Sequence, residues 1–205
     1  MSTSRVRKFI CAALAGTYLA AAPVPTFAQS PAPIDRLGIP GPIEFAGTQY
    51  HLAWSAQPSA DYIKHEYLPL GQKPASYADM VSVELLTSGI SVADAARAQT
   101  TKLDKRKGSD PLANYQLLQN PNNSQVVLDF LMSDESTGAL IVEWDAYRYV
   151  SVAMPDGKNA VILFAISRRH YGAGAGEFLK SLKTKRTADI NALVSHAIPG
   201  AEPSR

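Results

Sequence analysis

The chain all but lacks cysteine. Cys11 is the only one in 205 residues, and it lies within the N-terminal apolar run. If that run is removed, no disulfide, thiolate metal site or cysteine nucleophile is possible. Metal-binding histidine spacings are missing as well. His51, His65, His170 and His196 form no HxH, HxxxH or HExxH, so His51, His65 and His170 with Glu66 or Asp129 make only scattered ligand candidates, and no metal or cofactor is expected. There is no Gly-x-Ser-x-Gly, so a triad of Ser167, His170 and Asp145 exists only on paper. Gly172-x-Gly174-x-Gly176 fits neither the dinucleotide fingerprint nor the P-loop and reads as a flexible connection. After the first 28 residues no apolar run reaches membrane-spanning length.

The N-terminus has the three parts of an export signal. Arg5, Arg7 and Lys8 are basic, Ile10–Ala22 is apolar and too short to span a bilayer comfortably, and Thr26-Phe27-Ala28 offers small residues at −3 and −1. Cleavage after Ala28 leaves 177 residues, enough for one domain with a core. It removes three basic residues and no acidic one, so the formal charge of +2 becomes −1. The expected location is periplasmic or secreted. Neither a nucleic-acid partner nor a stable membrane span is expected of the mature chain.

Residues 29–42, with Pro31, Pro33, Pro40 and Pro42, read as an extended leader. A single domain is expected over 43–198, and a loose tail over 199–205. The pattern predicts a hairpin around Gly47-Thr48, a strand at Asp61–Leu68, a helical turn at Ala75–Met80 and a strand at Val81–Leu86. Ser91 caps a helix running to about Lys107, with Asp94 at the capping-box position. Strands follow at Asn114–Gln119 and Ser124–Ser133. A last helix runs from about Glu177 to Ala197, and its polar Thr184–Asp189 stretch suggests a break near Thr187.

The centre of the chain is a hairpin, Leu140–Ala153 and Ala160–Arg169, joined through Pro155-Asp156-Gly157-Lys158. A two-residue Asp-Gly loop places Tyr149 opposite Phe164, Tyr147 opposite Ile166, Asp145 opposite Arg168 and Glu143 opposite His170. Both faces are apolar near the turn, so the hairpin is expected to be covered on both sides. Its open end then collects Glu143, Asp145, Arg168 and His170, an acid–base or anion-binding cluster, with Arg148 and Arg169 on the opposite face. The alternative is a set of ordinary cross-strand ion pairs. Asp129, inside the apolar strand Val126–Met132, faces solvent or pairs with a buried base. Lys180, Lys183, Lys185 and Arg186 place a basic patch on the last helix.

The run Glu44-Phe45-Ala46-Gly47-Thr48-Gln49-Tyr50-His51-Leu52-Ala53-Trp54-Ser55, with Glu66-Tyr67-Leu68-Pro69 and Ser181-Leu182-Lys183-Thr184-Lys185-Arg186-Thr187, resembles a family of exported bacterial proteins with no assigned activity. In element order alone the chain also resembles the PsbP-like α/β/α sandwich, and fold does not fix function.

The expected fold is α+β: an antiparallel sheet of seven or eight strands with two helices packed on it. The expected function is a non-catalytic periplasmic module that binds a small ligand or an envelope protein partner, with Trp54, Tyr67, Trp144, Arg148 and Arg169 as ligand-binding candidates. One alternative is a hydrolase-type enzyme using His170 as base with Asp145 or Glu143, and Arg168 nearby. The other is a structural envelope protein using the Lys180–Arg186 patch.

Overall fold

Residues 32–119, 124–136 and 138–200 are described by a computed structural model. The segment 1–28 expected to be an export signal, the turn Asn120-Pro121-Asn122-Asn123 and the end of the tail lie outside the described residues. Eight strands form one antiparallel sheet: β1 (Ile43–Phe45), β2 (Thr48–Ser59), β3 (Tyr62–Leu68), β4 (Asp79–Leu86), β5 (Asn114–Gln119), β6 (Val126–Asp134), β7 (Ile141–Ala153) and β8 (Asn159–Tyr171). Their order across the sheet is β1-β2-β3-β4-β8-β7-β6-β5. Two helices complete an α+β fold: α1 (Val92–Arg106), between β4 and β5, and α2 (Ala175–Ser195), after β8. Among the described residues no helix is long and apolar enough to cross a membrane.

The β7–β8 hairpin is interior, as its two apolar faces require. β8 alternates Val161, Leu163 and Ala165 toward α1 with Ile162, Phe164 and Ile166 toward α2. On the first face, Val92, Ala95, Ala96 and Leu103 of α1 meet Val126, Leu128, Phe130 and Tyr149. On the second, Leu182 and Leu193 of α2 join Tyr67, Val81, Trp144 and Phe164. Each fully buried large apolar side chain contributes about 1.5–3 kcal/mol against its exposed state. The sheet is therefore held from both sides, and one helix cannot leave without exposing half the core.

Local chemistry explains the joints. The β1–β2 loop is Ala46-Gly47, both at positive φ (49° and 79°), as a two-residue primed turn demands. Ser91 caps α1 by accepting from the Asp94 amide at 3.0 Å, and Asp94 takes a hydrogen bond back from the Ser91 hydroxyl at 2.7 Å. Lys105 and Arg106 occupy the last turn of α1, where the helix dipole favours cations. Gly174 opens α2 at φ 100°, and a Cβ there would lie 2.9 Å from His170 Nε2. That crowding gives the glycine-rich connection a structural reason.

Three expectations are corrected. Ala75–Met80 is not a helical turn; Ser76 N bonds Lys73 O at 2.9 Å, and Gln72 Oε1 accepts from the amides of Ala78 and Asp79, so the chain enters β4 at Asp79. α2 runs through Thr187 without a break, because Arg186 and Asp189 within its polar stretch pair with the sheet while Thr184, Lys185 and Thr187 face solvent. Residues 35–42 contain no helix or strand, yet they are tied to the sheet. Arg36 N donates to His65 Nε2 at 3.0 Å, Tyr67 Oη donates to Ile39 O at 2.7 Å, and Leu37 and Ile39 pack on the core.

Candidate ligand cleft and the residues around it

The turn sets which residues meet across the central hairpin. Met154-Pro155-Asp156-Gly157 closes through Gly157 N to Met154 O at 2.9 Å, with Gly157 at φ 80°, and Met154 N bonds Lys158 O at 2.8 Å. The loop has three residues, not two: a type I turn with Pro at its second position, followed by a left-handed glycine. Proline has no N–H for a strand-pairing position, and its fixed φ suits the turn better. The register consequently differs by one residue from the expected one. Glu143 faces Arg169, Asp145 faces Ser167, Trp144 faces Arg168 and Val142 faces His170.

That shift splits the expected acid–base cluster between the two faces of the sheet. Arg168 lies on the α2 side, where it donates to Asp189 twice at 3.2 Å and to Tyr50 Oη at 3.1 Å and pairs with Asp79 at 3.1 Å. His170 Nε2 bonds Ala173 O at 2.9 Å, and its ring stacks on Phe178 at 5.9 Å. Glu143 and Asp145 lie on the α1 side. His170 therefore has neither carboxylate beside it, and the arrangement on which the hydrolase alternative depends is not assembled. Ser167 does donate to Asp145, but His170 is on the other face, so the paper triad is not assembled either.

What forms on the α1 side is a buried acid pair. Asp145 has no exposed surface; Oδ1 accepts from Ser167, and Oδ2 accepts no hydrogen bond. Burial first, and then the adjacent Glu143 carboxylate, push the Asp145 carboxyl well above the usual range. Burial and the neighbouring carboxylate thus both favour the neutral form of Asp145. Glu143 is held by Arg169, and it accepts from Tyr77 Oη at 3.0 Å. The Arg169 guanidinium lies 4.0 Å over the Tyr77 ring. A cavity of about 190 Å³ beside them is lined by Arg106, Ser133, Ile141, Glu143 and Arg169. Its charged groups already have partners, Arg106 with Asp110 and Arg169 with Glu143.

The larger cleft is on the α2 side, about 460 Å³, between α2 and strands β5, β6 and β7. Leu131, Trp144, Leu179 and Leu182 give it apolar walls. At its inner end is Asp129, only 3% exposed. Trp144 Nε1 donates to Asp129 Oδ1 at 3.0 Å, and Arg186 Nε donates to the same oxygen at 2.8 Å. Arg186 Nη2 reaches the other carboxylate oxygen and Gln116 Oε1, the latter at 2.8 Å. Asp129 pairs across the sheet with Ala146, whose small side chain leaves room for this network. Of the two expectations for Asp129, solvent or a buried base, the first is not met, and the partner is Arg186 of the helical patch, which is part-exposed rather than buried.

The ligand-binding candidates do not converge. Trp144 walls the larger cleft, and Arg169 lines the smaller cavity on the opposite face. Trp54 is 41% exposed on β2, opposite Glu66. Tyr67 is fully buried and committed to Ile39 O. Arg148 closes the end of α2, with Nη1 on Leu193 O at 2.9 Å and His196 O at 2.7 Å and Nε on Gln125 Oε1 at 3.0 Å. Asn114, Gln116 and Leu131 belong to no motif in the sequence. Their only signal was alternation in β5 and β6, which places them on the face that Asp129 shares.

No curated protein matches this chain. The model of an uncharacterised family matches residues 37–198, most of the sequence, and the chain belongs to that family.

Proposed function

We propose that this protein is an exported, non-catalytic module that binds a small ligand in the cleft between α2 and strands β5–β7. The observation that carries the reading is the cleft itself. Its volume of about 460 Å³ falls within the range of roughly 300–1,000 Å³ typical of small-molecule sites. Its walls are mainly apolar, and the polar groups at its inner end are fixed by bonds to one another, as in sites that orient a ligand with a handful of hydrogen bonds. Asp129, Arg186, Gln116 and the Trp144 indole hold one another in place, so the site is organised before a ligand arrives. The pattern of residues 1–28, a basic start, an apolar run and small residues at −3 and −1, supports the compartment.

Amide NMR tests the location. The Trp144 indole N–H is a single resonance inside the cleft, and the exposed Trp54 indole is an internal control. Titration with a library of small amphiphilic fragments is expected to shift Trp144 and residues near Leu131 and Leu179 while leaving Trp54 in place. Fragments that bind while perturbing only a surface away from Trp144 would refute the reading.

A further inference from the structure

We infer that the ligand is an amphiphilic monoanion, an apolar chain or ring that ends in one carboxylate-like group. This rests on the cleft reading above and adds the charge of the occupant. The apolar part follows from Leu131, Leu179, Leu182 and the Trp144 ring. The charge follows from which hydrogen-bonding groups are already used.

The Asp129 charge is already answered by Arg186, and three of its roughly four acceptor positions are taken. Oδ1 accepts from both Trp144 Nε1 and Arg186 Nε, and Oδ2 pairs with Arg186 Nη2. The donors are not exhausted in the same way. Arg186 spends Nε and Nη2 on Asp129 and Gln116, and its Nη1 donates to no group among the described residues. Lys183 lines the same cleft three residues earlier on α2, hence on the same helical face. It is exposed, and it has no ion-pair partner among the described residues. With Asp129 neutralised by Arg186, Lys183 leaves the cleft one positive charge in excess. An anion at the mouth would meet the Lys183 ammonium and the outer edge of Arg186 while its apolar part lies on the leucines. A cation would meet that same excess charge with no open carboxylate to answer it.

Calorimetric titration of the purified chain separates charge from shape. Octanoate, octanol and octylamine share a chain and differ in head group, and naphthoate tests a ring in place of the chain. Octanoate is expected to bind about tenfold tighter than octanol, with octylamine weakest. Lys183→Glu, at an exposed position, should weaken octanoate about fivefold to tenfold, leave octanol unchanged and leave the melting temperature intact. Added salt should weaken octanoate alone. If octanol or octylamine binds as tightly as octanoate, or Lys183→Glu has no effect, the anion inference is overturned while the cleft stands. Leu179→Trp, which fills the cleft, identifies the other failure. If it leaves every probe unchanged, or no probe binds the wild-type chain, the cleft reading falls and the inference with it. Whether octanoate or naphthoate binds more tightly tells a fatty acid from an aromatic acid.

Discussion

Replacing Asp145 by Asn should make the protein more stable, and increasingly so as pH rises. In the folded chain Asp145 is fully buried beside Glu143, and burial first and then that carboxylate raise its pKa well above the usual range. In the unfolded chain it ionises with an ordinary pKa of about 3.9. A group whose folded pKa is raised adds its stability below the unfolded value and loses it as pH climbs toward the folded value. Over that window the folded state holds one proton more than the unfolded state. The wild type therefore gives up about 1.4 kcal/mol of stability for each pH unit from this group. Asparagine copies the neutral acid without titrating. Its carbonyl can accept from Ser167, and its neutral amide puts no second negative charge beside Glu143. Urea unfolding of both proteins between about pH 3.5 and pH 7 measures the difference. The variant should match the wild type at the acid end and then gain at about 1.4 kcal/mol per unit while Asp145 stays protonated, with an unchanged m-value. A difference that does not vary with pH, or a variant less stable at pH 7, would refute the raised pKa of Asp145.

Other perturbations probe separate joints. Burial, the largest effect on His65, lowers its pKa, with Asp35 opposing; its Nε2 must stay unprotonated to accept from Arg36 N. Stability from this group is present above about pH 6.5, the unfolded value, and is lost as pH falls toward the lower folded value. The hydrogen-exchange protection factor of the Arg36 amide should drop over that interval, and a constant factor would count against the contact. Arg148→Ala strips the last α2 carbonyls of a buried cationic donor and should cost about 2–4 kcal/mol in urea unfolding. Arg148→Lys should recover only part of that, because one ammonium cannot reproduce the planar fork that spans Leu193 O, His196 O and Gln125. A full recovery would mean that charge alone was needed.

Most of the fold was legible because it rests on local signals. Alternation identified the strands, Ser91 and Asp94 marked the start of α1, and the two apolar faces of the central hairpin called for cover on both sides, which α1 and α2 supply. The register was harder. Pro155-Asp156-Gly157 fits a two-residue loop by its Asp-Gly and a three-residue loop by its Pro, and only the second keeps proline out of strand pairing. That one-residue choice decides whether Asp145 meets Arg168 or Ser167. It moves a proposed surface site into a buried acid pair.

The cleft shows why a break in a pattern can be more informative than its continuation. Thr184–Asp189 interrupts the apolar stripe of α2, and from local sequence the economical explanation is a broken helix. The helix instead continues, and two of those polar residues turn inward, Arg186 onto Asp129 and Asp189 onto Arg168, across 57 and 21 residues of sequence. A charged residue on the sheet-facing side of a helix is costly unless a partner waits on the strand. Asp129, an acid in an apolar strand, is the matching irregularity. Each is unexplained alone, and together they account for each other. Of the basic patch, Lys183 is then the cleft-lining charge that no ion pair among the described residues takes up. Structural pairing explains the inward-facing arginine, whereas a residue left with spare donors beside an apolar hollow is better explained by something that binds there.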